Sequence, residues 1–293
     1  MYDERVVQGP GGRQLEIGTI GPSDGRTVVF HHGSPGTASL IQMLGDLVDE
    51  FGLYVLSVSR PGYGDSTRVE GRVVASAVAD VHAVLDGLGR DRYVTVGWSG
   101  GGPHAIACAA LGAPRCTAAW SLAGAAPMDV DFDWTEGMGP ENLEEFALAR
   151  VGGPAYEAAM AQAGAAFGDA TPATVVSLFG GLLSEVDQRA LEPESTRAMM
   201  AASMRGAFRT GWRGFFDDDR AMFEPWGFDL GAITVPVAVW YGGEDLMVPA
   251  SHGRWLAEHV AMATPTYFAA DGHVSLVTAH ARELASAIAN AGD

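Results

Sequence analysis

An α/β fold with a mostly parallel sheet flanked by helices is predicted by three features of the sequence. Short apolar, often Val-rich runs recur along the chain, and stretches with apolar residues at three- and four-residue spacing separate them. One long interval, 127–228, holds helical patterns without a clear strand. Continuous apolar runs suit strands covered on both faces, as a parallel sheet between helices requires.

Segment 5–20 reads as an opening hairpin around Gly9-Pro10-Gly11-Gly12, where Gly and Pro supply turn dihedrals and Leu15, Ile17 and Ile20 supply apolar positions. Strands are then expected at 27–31, 53–59, 93–97, 116–123, 235–241 and 266–269. Helices are expected at 38–51, 73–88, 103–111, 251–260 and 275–289. The alternation spells βαβ units. The interval 127–228 contains seven of the eleven methionines and is read as a helical cap, or lid, over one end of the sheet. Residues 1–126 and 229–293 then form the core; a loose separate domain is the alternative for the interval.

At 293 residues, 47% of them hydrophobic, the chain can bury a sizeable core. Its 36 Asp and Glu against 18 Lys and Arg give a net charge of −18, a field that repels phosphate backbones and anionic membranes. Neither nucleic acid nor a membrane is therefore an expected partner. The charged start of the chain lacks the apolar core of a secretory signal, so a cytoplasmic location is expected. Cys108 and Cys116 are too few for a disulfide framework and read as small core residues.

Chemistry concentrates in four motifs. Gly97-Trp98-Ser99-Gly100-Gly101 lies between an apolar strand pattern and a small-residue helical pattern. That is the context in which a sharp turn presents a serine, with flanking glycines removing clashing Cβ atoms. Pro103 is tolerated in a first helical turn. A serine needs a base, and the base needs an orienting acid. Gly242-Gly243-Glu244-Asp245 follows one expected strand and Asp271-Gly272-His273 follows the next, supplying Asp245 and His273 at strand ends. The chain order Ser, Asp, His is one known for such triads. Finally, His31-His32-Gly33-Ser34-Pro35-Gly36 follows the strand at 27–31 and allows the Ser34 and Gly100 N–H groups to form an oxyanion hole, with His32 bonding the loop.

With these motifs and the Arg60-Pro61-Gly62-Tyr63-Gly64-Asp65-Ser66 turn in order, the chain resembles the α/β-hydrolase superfamily over nearly its whole length. The resemblance implies an eight-stranded sheet and a cap inserted after the sixth strand. Ser99 sets the chain apart from the epoxide-hydrolase and haloalkane-dehalogenase branches, which carry Asp there. The implied activity is that of a serine hydrolase cleaving a carboxylic ester or related acyl bond of a small, largely apolar substrate, without metal or organic cofactor. The His32-Gly33-Ser34-Pro35-Gly36 motif is also similar to proline iminopeptidases, and Glu136, Glu141, Glu144 and Glu145 would then be candidates to bind an amine. That family favours Trp after the serine, whereas Trp98 precedes it. A third reading is a receptor on the same fold that binds a small molecule without turnover.

Other residues carry competing readings. Asp129, Asp131 and Asp133 follow the sixth strand and are alternatives to Asp245, whereas Asp271 reads as turn chemistry. His82, His104, His252, His259 and His280 read as satisfied polar residues. Trp98, Met128, Trp134, Trp212 and Phe216 are candidates to line the substrate pocket, with Phe132, Met138, Phe215 and Trp226 as further apolar residues of the interval. Asp217-Asp218-Asp219 reads as a solvated face or a helix start, or more weakly as a site for a cationic group.

Overall fold

The computed structural model describes residues 1–292. Eight strands form one sheet: β1 (Asp3–Gln8), β2 (Gln14–Ile20), β3 (Arg26–His31), β4 (Leu53–Val58), β5 (Tyr93–Trp98), β6 (Cys116–Leu122), β7 (Val237–Gly242) and β8 (Ala263–Phe268). Their order is β1-β2-β4-β3-β5-β6-β7-β8. The pairs β1/β2 and β2/β4 are antiparallel, and all others are parallel. The expected α/β class, hairpin and mostly parallel sheet are all present. One expectation needs adjusting: β8 begins at Ala263 and is an exposed edge strand, so its pattern is not the buried one seen in β3 to β6.

Side chains alternate across the pleat, and the sheet has apolar material on both faces. Val28, Phe30, Val94 and Val96 face one layer together with Leu276, Val277, Leu284 and Ile288. Val29, Leu56 and Tyr93 face the other, with Ile106, Cys108 and Leu256. Each fully buried aliphatic side chain stabilises the fold by about 1.5–3 kcal/mol.

The helices before the long interval are the short α1 (Leu47–Glu50), α2 (Ala77–Gly87) and α3 (Gly102–Leu111). Pro103 sits in the first turn of α3, as its missing N–H allows. The stretch 38–51 is not one helix: a 3-10 turn over Ala38–Leu44 stops at Gly45, whose φ of 48° lies in the left-handed region, and α1 follows. Between β6 and β7 lie α4 (Pro140–Val151), α5 (Gly153–Gly168), α6 (Val175–Phe179), α7 (Glu185–Ala190), α8 (Glu194–Ala207) and α9 (Arg213–Phe223). No strand interrupts them among the described residues. Their interior is aromatic and methionine-rich, with Tyr156, Met160, Phe208 and Phe215 buried together against Tyr63 of the core.

After β7 come α10 (Ala250–His259), α11 (His273–Ala279) and α12 (Ala281–Ala289). The expected helix at 275–289 is therefore two, starting earlier and broken at His280. That imidazole is drawn to Asp271 at 2.9 Å and lies against the Phe268 ring, which favours the bend over a straight helix. No helix is long and apolar enough to cross a membrane among the described residues.

Candidate active site

Ser99 follows β5 directly and holds φ at +57°, a strained value for a residue with a Cβ. The strain is imposed by crowding. A Cβ at Gly97 would lie 2.0 Å from the Gly101 carbonyl oxygen, and one at Gly101 would lie 2.1 Å from the His31 oxygen. Only glycine fits either place, so strand and helix close tightly around the serine. Across from it, a Cβ at Gly100 would lie 2.5 Å from Ser34 Oγ and 3.4 Å from Ser34 N, so the 33–36 loop and the Ser99 turn meet face to face.

His273 opens α11 and is 2% exposed. Its Nδ1 meets Asp245 Oδ2 at 2.8 Å. The other Asp245 oxygen accepts the Met247 and Val248 N–H groups, each at 2.8 Å, which fixes the carboxylate and leaves one oxygen for the imidazole. Trp98 Nε1 donates to the His273 carbonyl at 3.1 Å, and the two rings lie 5.4 Å apart. Burial disfavours the imidazolium, but the charge and hydrogen bond of Asp245, with the charge of Asp187, outweigh it and raise the His273 pKa above its ordinary value.

Two cavities border Ser99. One is lined by Gly33, Ser34, Leu40, Trp98, Phe179, Met200, Met204, Met247 and His273. The second, larger one runs from Ser99 and Gly100 past Trp134, Met138, Asn142, Phe146, Phe215 and Met222 to Glu145 and Asp219. Burial, followed by the neighbouring Asp219 charge, pushes the Glu145 carboxyl up. Burial also pushes Asp219 up to about 7, against the hydrogen bond it accepts from Tyr156.

The expected residues are thus partly gathered here. Ser99, His273, Ser34, Gly100, Trp98 and Trp134 border the cavities, with Asp245 behind His273. Met128, Trp212 and Phe216 lie outside both linings: Met128 packs beside Arg150, Trp212 against Gly164 and Arg213, and Phe216 stacks on Tyr156. Asp129, Asp131 and Asp133 are exposed, and Asp271 turns to His280 instead of His273. The remaining histidines have local partners; His252, for example, accepts from Ala126 N and meets the Trp134 oxygen, and burial lowers its pKa to about 4.

Asp217-Asp218-Asp219 is not a solvated face. All three are buried. Asp217 pairs with Arg68, and Asp219 accepts from Tyr156. Asp218 accepts from Arg60, Arg72, Tyr63 and Ser34. Burial alone would raise its pKa, but Arg60 and Arg72 hold it well below the usual carboxylate range. Arg60 also donates to the His32 and Gly33 oxygens and to Ser34 Oγ, stitching α9 to the 33–36 loop. His32 Nε2 accepts from the Arg60 N–H, so Nδ1 carries the proton donated to the Gly33 oxygen and the ring is neutral. Asp187 carries no marker in the sequence. It is fully buried on α7 and accepts from the first turn of α11. Among the described residues, no group of three or more His, Cys, Asp or Glu is arranged to hold a metal ion.

A strained serine and a carboxylate-linked histidine that border one cavity, at the end of such a sheet, fit the class of α/β hydrolases. The chain belongs to the alpha/beta hydrolase family, whose model matches residues 28–287. The enol-lactonase from Burkholderia xenovorans superimposes with a TM-score of 0.69 at 20% identity, covering 97% of this chain and 98% of that one. The esterase from Exiguobacterium antarcticum does so at 0.70 and 18%, covering 97% of each. An alpha/beta hydrolase fold protein from Nakamurella multipartita gives 0.66 and 23%, covering 99% of this chain and all of that one. At these identities the likeness is one of fold. No curated protein matches the sequence.

Proposed function

We propose that the chain is a serine hydrolase that cleaves a carboxylic ester, or a related acyl bond, of a small and largely apolar substrate. The observation that carries this reading is the 2.8 Å contact between His273 Nδ1 and Asp245, with His273 and Ser99 facing one apolar cavity. Ser99 Oγ bonds to the substrate carbonyl carbon as its proton passes to His273 Nε2. The Ser34 and Gly100 N–H groups stabilise the oxyanion. Its collapse breaks the bond to the leaving group, which takes the proton from His273. Water then attacks the acyl-enzyme with His273 again as base, releasing the acid and restoring Ser99. The helices between β6 and β7 act as the cap, since Phe179, Met200 and Met204 from them line the cavity.

A second reading, aminopeptidase-like, is favoured by one observation: Glu145 and Asp219 line the larger cavity, where carboxylates can receive a substrate's amine. Cleavage of aminoacyl amides that is lost on N-acylation would favour it over simple esters.

Mass spectrometry after exposure to a fluorophosphonate tests the parent reading. One adduct on Ser99 is expected, absent from Ser99→Ala and His273→Ala. An unlabelled native chain that still binds small apolar ligands would replace hydrolysis with binding without turnover.

A further inference from the structure

Asp187 is fully buried, yet its partners are all neutral donors of one turn. Oδ2 accepts the His273 N–H at 2.8 Å; Oδ1 accepts the Val274 and Ser275 N–H groups at 2.8 Å each and the Ser275 hydroxyl at 3.0 Å. These N–H groups open α11 and have no partner within the helix. The carboxylate comes from α7, in the segment between β6 and β7, so an element outside the core holds the backbone that carries His273.

Gly272 supplies the space for it. A Cβ there would lie 2.3 Å from Asp187 Oδ2 and 2.6 Å from Cγ. Its φ of −100° requires no left-handed conformation, so the constraint at 272 is the room that the carboxylate occupies. Two residues distant in sequence thus describe one contact.

We propose that Asp187 is a positioning residue: through the first turn of α11 it sets the orientation of the His273 imidazole and places a negative charge beside it. This rests on His273 being the base of the proposed hydrolysis. The charged groups that act on His273 are Asp245, from the loop after β7, and Asp187, from α7. Asp271, on the loop before α11, is engaged by His280, and β5 and its turn present the neutral Trp98 and Ser99. An orienting contact of this kind leaves substrate binding intact while slowing chemistry, since a displacement of about 1 Å at a catalytic group can cost about 10²-fold.

The test compares the full chain with Asp187→Asn, which keeps shape but removes the charge, and Gly272→Ala, which keeps the charge but displaces it. Fluorophosphonate labelling of Ser99 across pH and ester kinetics are read with thermal midpoints and the NMR titration of His273. Both variants are expected to label about 10- to 100-fold more slowly, with kcat lowered and KM within about twofold of native, since ground-state binding is untouched. For Asp187→Asn the His273 titration and the acid limb of the rate should move to lower pH. The combined variant should be little worse than the poorer single one, because both remove the same contact. Folded variants with native labelling rates and an unmoved His273 titration would overturn the proposal. If Asp187→Asn fails to fold, Gly272→Ala carries the same kinetic test. A native chain that fails to label overturns the hydrolase reading instead, and the NMR titration still decides whether Asp187 acts on His273.

Discussion

Asp187 and Asp218 both lie between β6 and β7, both are buried, and both reach the end of the sheet that carries Ser99, yet they are neutralised in opposite ways. Asp218 meets the guanidinium groups of Arg60 and Arg72, the Tyr63 hydroxyl and the Ser34 hydroxyl. Asp187 meets three backbone N–H groups and one hydroxyl. The first arrangement binds charge to charge, so removing one member strands the others in a poorly solvated place. The second spreads one charge over dipoles of a single turn, so its loss leaves orphan donors that shift or hydrate at modest cost. Asp218 should therefore matter more to stability, and Asp187 more to the timing of proton transfer.

Asp245, a third buried carboxylate, should set the upper end of the functional scale. Asp245→Asn should lower kcat by about 10⁴-fold, because an amide cannot hold the imidazole in the required tautomer; steady-state ester hydrolysis measures it. Next, Asp218→Ala should lower unfolding free energy by about 3–5 kcal/mol, the cost of leaving paired buried cations alone, read from the urea midpoint. Asp187→Asn should lower it by only about 1–2 kcal/mol, as for a lost helix cap. A larger stability loss at 187 than at 218 would break the comparison.

The smallest effect is its pH dependence. The His273 pKa is raised in the folded protein, so its contribution is complete below the unfolded value, about 6.5, and fades as pH rises through the higher folded value. Asp187 supports the imidazolium, so the stability gap between native and Asp187→Asn should narrow across that rise. The Asp218 pKa is depressed, so its contribution is present above the ordinary carboxylate value and fades only as pH falls through the lower folded one. The contribution of the Asp218 carboxylate to the Asp218→Ala gap should therefore shrink toward low pH, the opposite sense to Asp187→Asn. Urea titrations at several pH values separate the two.

The strand runs, the Ser99 turn and the strand-end placement of Asp245 and His273 are legible because each is written in neighbouring residues: an apolar run, then Gly, then the candidate side chain. The 38–51 stretch misled because its apolar spacing continues across Gly45, which ends the turn. Asp187 lay hidden because a single Asp in a helical pattern looks solvated, and the donors that define it are at 273–275. Asp217-Asp218-Asp219 looks solvated for the same reason: its partners stand far off in sequence, at 60, 68, 72 and 156. Gly272 carried a trace of the answer, but its neighbour across space was unknown. Met200 and Met204, four apart on α8, line a cavity with nothing in their own stretch of sequence to mark them for it.

The two cavities at Ser99 give the proposed reaction a handedness. One offers His273 and an apolar wall, and the other offers Asn142, Glu145 and Asp219 beyond an aromatic stretch. A substrate with unlike halves can lie across the serine in two directions, and these surroundings do not receive the halves alike. Constitutional isomers that differ only in which half bears the carbonyl would then be different substrates, though composition and size are the same. Selection would then rest on the sense in which a molecule is read as well as on what it contains.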